Sequence, residues 1–138
     1  MSHQLTRLGR SIAGLPRWVQ GWVAILIATN LASLWFLDHP IGQWTAIAAI
    51  AVAAMNLPIM VVQGGITRLM SFPHMVWVPL LFFIIEQLVG AGGPAVGSAV
   101  WAFGATVFVV NLISVMFDLL DIVRWLNGER EILGLDGT

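Results

Sequence analysis

Among the polar side chains within the long apolar stretches of this sequence, six have the types and spacing that could do chemistry: Asn30, Asn56, Glu86, Asn111, Ser114 and Asp118. Glu86 is the sharpest case, because Phe82, Phe83, Ile84 and Ile85 stand directly before it. A carboxylate among such neighbours is costly unless it is paired, hydrated or in use. It reads as a proton or cation site, or as a polar contact for a substrate. The plainer account is a neutral acid hydrogen-bonded to a neighbouring helix. Asn30 reaches a similar depth and is the expected partner of Glu86. Asn56 and Asn111 share a depth in the opposite half, where they are expected to meet each other.

A second pattern runs through the last apolar stretch. Gly104, Asn111, Ser114, Asp118 and Asp121 recur at three-, four- and seven-residue steps, which puts them on one face of a helix. That face should look into the protein or across an oligomer seam. Arg124 follows Asp121 by three residues and is placed to pair with it. The acidic end reads either as a vestibule that gathers cations or as a solvated helix terminus.

The histidines and serines point away from catalysis. His3, His39 and His74 fall at a tail, an outer turn and an inner helix start, so they share no depth as haem or metal ligands would. No His-x-x-x-His, Gly-x-Ser-x-Gly, Walker loop or dinucleotide fingerprint occurs. Neither cofactor nor metal is expected, and the chain is not expected to be an enzyme. His74 reads as an incidental interfacial residue or, with Arg68, as a contact for lipid phosphates.

The elements that hold these residues follow from composition. Of 138 residues, 59% are hydrophobic and 9% charged, with a mean hydropathy of +0.90. Soluble domains carry roughly 25% charged residues, so too few charges are present to coat a water-facing surface. A net charge of −1 gives no case for nucleic acid. The absence of Cys removes disulfide and thiol chemistry. Four apolar runs, at about 18–37, 41–63, 74–91 and 96–118, are near the length that crosses hydrocarbon. The last helix is expected to extend to 127, and residues 128–138 form a tail.

Orientation comes from the arginines, since the chain has no Lys. Arg7, Arg10 and Arg17 precede the first run, Arg68 separates the second and third, and Arg124 and Arg130 follow the fourth. The other two connections carry none. This is the positive-inside pattern with both termini cytoplasmic, and its strong bias argues against a dual-topology antiparallel dimer. Trp18, Trp22, Trp77 and Trp125 fall near the inner ends of spans, and Trp35, Trp44 and Trp101 near the outer ends, as aromatic belts do. Arg7, Arg10, Arg17 and Arg68 with Trp18, Trp22, Trp77 and Trp125 make the expected lipid interface.

Local signals complete the layout. Residues 1–17 alternate Leu5, Leu8, Ile12 and Leu15 with arginines, either as an interfacial amphipathic helix or as a frayed tail. The first apolar run is long for a signal-peptide core and reads as a retained helix. Pro40 suits the first turn of the second helix, Ser71 is the expected cap before Pro73, and Pro58 is expected to kink its helix. The alanine-rich second helix should sit centrally, because small side chains allow close packing in lipid. The third span looks short.

The expectation is therefore an all-α, four-helix integral membrane bundle with an N-terminal interfacial helix, in a bacterial inner (plasma) membrane. Its expected role is a non-catalytic membrane subunit or scaffold, partnered by lipid and by itself or another membrane protein. The alternative is an oligomeric channel or transporter for protons or small cations, using Glu86 and the Asn56, Asn111 and Asp118 stripe.

Overall fold

A computed structural model describes residues 2–135, with side chains from residue 6 onward; the side chains of His3 and Leu5 and the end of the tail lie outside the described residues. The described residues are helical, with no strand. Four segments are long and apolar enough to cross a membrane: Arg17–Phe36, Pro40–Gln63, Arg68–Val89 and Ala99–Leu126. They make this an integral membrane protein by length and composition.

Helix α1 (Ser2–Gly14) ends before Pro16, whose backbone (φ −52°, ψ 140°) turns the chain into α2 (Arg17–Leu31). Gln20 stitches this corner by donating to the carbonyl of Leu15 at 2.8 Å. The first crossing does not remain α-helical to its end. Residues Ala32–Phe36 tighten into a 3-10 turn, where Ser33 donates to the carbonyl of Asn30 at 2.6 Å.

Helix α3 (Pro40–Gln63) starts as expected, with Pro40 in its first turn and the His39 side chain accepting from the Ile41 amide. Pro58 lies within it, and the helix continues to Gln63. Gly64, at φ 72°, closes it in the left-handed conformation that glycine tolerates. Ala46 and Ala48 are buried, but Ala53 and Ala54 are exposed. The alanine-rich helix therefore packs along one side and does not sit enclosed.

The third crossing differs most from expectation. Only Trp77–Val89 is α-helix (α4). Two 3-10 turns, Arg68–Ser71 and Pro73–Val76, precede it, and Ser71 makes no side-chain cap. A 3-10 turn rises about 2.0 Å per residue against about 1.5 Å in an α-helix. Tightened turns thus lengthen a span that looked short. Helix α5 (Ala99–Leu126) begins at the Ser98 cap, three residues later than expected, with Ser98 Oγ accepting from the Trp101 amide. Its 28 residues span about 42 Å, longer than a hydrocarbon core of about 30 Å.

Ile41, Ile84 and Val107 are fully enclosed between α3, α4 and α5, and Phe36 stacks on Phe103 at 4.4 Å. Large apolar side chains also cover much of the outer surface, and polar ones are enclosed. Trp35, Val62, Val96 and Phe82 stand exposed, while Asn30, Asn111, Ser114 and Asp118 are buried. A water-soluble fold pays heavily for that inversion; hydrocarbon favours it.

At one end, three distant pieces of chain meet. Ser11 Oγ donates to the carbonyl of Leu133 at 2.7 Å and accepts from the Ile66 amide at 3.0 Å. The Leu133 amide donates to the carbonyl of Ile66 at 2.8 Å. Helix α1, the α3–α4 connection and the C-terminal segment are thereby tied together. The amphipathic segment is a helix, and Ser11 and Leu15 on it are turned into the protein, with Ile12 left half-exposed.

Candidate functional site

Helix α5 positions most of the interior polar groups. Its residues Gly104, Asn111, Ser114 and Asp118 are all buried, as their spacing requires of one face. Asp121, one turn on, is partly buried. The partners that meet this stripe differ from those expected.

Asn111 pairs with Asn30. Asn30 Nδ2 donates to Asn111 Oδ1 at 2.9 Å, and Asn111 Nδ2 donates to Asn30 Oδ1 at 3.1 Å. Asn30 also donates to the carbonyl of Leu26 at 2.9 Å. The expected Asn30–Glu86 and Asn56–Asn111 contacts are therefore replaced by a reciprocal amide pair joining α2 to α5. Glu86 is exposed near the far end of α4 and has no partner among the described residues. Helix α4 turns it outward.

Asn56 meets His74. Asn56 Nδ2 lies 3.0 Å from His74 Nε2, and His74 Nδ1 lies 2.9 Å from Asp118 Oδ1. Ser114 Oγ donates to the other Asp118 oxygen at 3.3 Å. The imidazole is stacked on Trp77, 4.4 Å between centroids and 12° between planes. These contacts link α3, the 3-10 turn Pro73–Val76 and α5. His74 is not an incidental interfacial residue, and Trp77, 3% exposed, is not part of a lipid-facing belt. One sequence signal could have found the pair. His74 and Asp118 both fall at the arginine-flanked ends of their apolar runs, next to Arg68 and Arg124.

The arrangement is not that of a nucleophilic triad. The serine bonds the carboxylate rather than the imidazole, and both ring nitrogens are already engaged, so no hydroxyl is poised for activation. Among the described residues no three His, Asp or Glu side chains converge as metal ligands do.

Arg68 is the second correction at this end. Its guanidinium reaches Asp121 at 3.3 Å, Glu129 at 3.4 Å and Glu131 closer still. Its side chain is only 10% exposed, so it clasps the C-terminal segment instead of facing lipid phosphates. Asp121 gives its carboxylate to Arg68 rather than to Arg124. Glu131 is held below the usual carboxylate range, first by a hydrogen bond from its own backbone and then by Arg68. Arg7, Arg10 and Arg17 remain exposed, with Trp18 exposed and Trp22 partly so. Trp125 lies beneath the Arg130 guanidinium, 5.4 Å from its centroid.

Compared with protein families, curated proteins and solved structures, the chain matches none.

Proposed function

We propose that this chain is a non-catalytic membrane subunit that acts through helix–helix assembly, with both termini on the cytoplasmic side of a bacterial inner membrane. One contrast supports the assembly reading. Asn30, Asn56, Asn111, Ser114 and Asp118 are all engaged with other side chains of the same chain, whereas Glu86 stands exposed and unpartnered. It lies on α4 beside exposed Phe82, Ile85 and Val89. A polar group on an apolar face is what a contact between membrane helices uses. The orientation reading rests on the six arginines and on the meeting of α1, the α3–α4 connection and the C-terminal segment at one end. Exposed Arg7, Arg10 and Arg17 on and beside α1 fit an anionic headgroup layer.

The chain has no native Cys, so single cysteines at Phe82, Glu86 or Val89 report on contacts cleanly. Oxidation in native membranes should give cross-linked dimers from these positions and none from Val62 on α3. A monomer that cross-links at no α4 position, and purifies alone in mild detergent, would overturn the assembly reading. The competing account is transport of protons or small cations. It requires flux in proteoliposomes above empty vesicles, abolished by Glu86→Gln.

A further inference from the structure

We propose that Asn56, His74 and Asp118 form a binding site for a single proton within the apolar helices, in which the Asn56 amide reverses to match the protonation of His74. The inference is independent of the assembly reading and rests on how the imidazole is partnered. An ionised carboxylate only accepts hydrogen bonds, so beside Asp118 the proton sits on Nδ1. The Asn56 amide nitrogen only donates, so the Nε2 that faces it at 3.0 Å is bare. This is a singly protonated ring with both nitrogens satisfied.

The same three residues satisfy the ring with one proton more. Asn56 Oδ1 is buried and has no partner. A half-turn of the amide exchanges its oxygen and nitrogen in nearly the same space, bringing an acceptor to Nε2–H. The added proton either leaves an imidazolium beside the Asp118 carboxylate or lets the Nδ1 proton move onto Asp118. Nε2 carries a hydrogen in both cases, so the amide must present its oxygen in both. Its orientation reports the proton on Nε2.

The surroundings favour such a site. Helix α3 carries no charged residue from Pro40 to Gln63. On α5, Asp118 faces the ring, with Ser114 on its second oxygen, while Asp121 is taken by Arg68. On the ring's own segment, Arg68 is engaged by Asp121, Glu129 and Glu131, and Glu86 lies near the far end of α4. Arg17 opens α2 and is exposed. Asp118 is thus the titratable partner, and one proton turns a pair of net charge −1 into a neutral one. A net charge away from water is costly, and a proton removes it. The Trp77 indole, stacked on the ring, offers the π-face that attracts a cation. His74 retains 18% side-chain exposure, which leaves a way in.

The test is histidine ¹⁵N NMR of the intact chain in lipid nanodiscs, scanned from about pH 8 to pH 5, where an ordinary imidazole changes charge. His3→Gln and His39→Gln variants assign the His74 signals. Nε2 is expected to pass from bare to protonated, with the Asn56 side-chain NH₂ signals moving over the same pH interval. Trp77 emission should fall in step, because a protonated imidazole quenches a stacked indole, and that component should vanish in Trp77→Phe. A single His74 ring state across the range overturns the proposal. So does a His74 titration that leaves the Asn56 amide unmoved, since the ring would then gain its proton without the reversing partner.

Discussion

Asn30 and Asn111 hold each other by two amide hydrogen bonds, at 2.9 and 3.1 Å, across the contact between α2 and α5. Each side chain is a donor and an acceptor to the other, so neither leaves a bare polar group facing hydrocarbon. Asn111 is fully buried and Asn30 nearly so. Coupling between polar side chains in membrane helices averages about 0.6 kcal/mol and reaches about 1.7. Replacing Asn111 with Leu should cost roughly 1–2 kcal/mol, because it strands part of the Asn30 amide. A double-mutant cycle with Asn30→Leu, read by unfolding in mixed micelles, should return a coupling within the first range. Additive losses would show that the pair is not coupled.

The Arg68 clasp should hold the C-terminal segment in place. Arg68→Ala leaves Asp121, Glu129 and Glu131 facing one another without their cation. Because these carboxylates are one-third to one-half exposed, the loss should be about 1–2 kcal/mol, well short of a fully buried pair. It should appear as faster amide exchange after Leu126, with the apolar helices unaffected. Arg68→Lys should rescue little, since one ammonium cannot reproduce a guanidinium fork spread over three carboxylates.

The same clasp sets a pH dependence. Glu131 is held below the ordinary glutamate range by its own backbone hydrogen bond and by Arg68. A carboxylate depressed in the folded state contributes its stability above its unfolded value, about 4.3 for glutamate, and loses it as pH falls through the lower folded value. Protection of the C-terminal segment against protease should therefore persist to a pH below about 4.3 and then fail. Glu131→Gln should remove that acid limb.

Glycine at position 14 is required by a close approach. A Cβ there would stand 2.0 Å from the carbonyl oxygen of Gly134, well inside any tolerable contact. Gly14→Ala should displace residues around Gly134 from α1 and break the bond from Ser11 to Leu133. Amide exchange at Leu133 should rise about as much as in Ser11→Ala. An unchanged Leu133 amide would contradict the observed packing of the two termini.

Several features could be read along the chain because they depend on one coordinate. Apolar run length marked the four crossings, and the 3.6-residue period marked the face of α5 that buries Gly104, Asn111, Ser114 and Asp118. Pro40 and Gly64 act where local backbone chemistry puts them. The third crossing was less legible. Its 3-10 turns from Arg68 to Val76 answer to contacts with α3 and α5, not to a local propensity.

By itself the sequence determined the four apolar segments and the face of α5 that carries the polar stripe. Counting residues along each helix put Asn30 and Asn111 in opposite halves, but they meet. Only the tertiary structure decided who meets whom. Asn30 found Asn111 rather than Glu86, Asn56 found His74, and Arg68 turned inward to three carboxylates. The physical reason is that a position along one helix leaves open its offset against its neighbours, its rotation about the axis and the order of those neighbours. Those are set by packing, where every buried donor and acceptor must find a partner that no local pattern names.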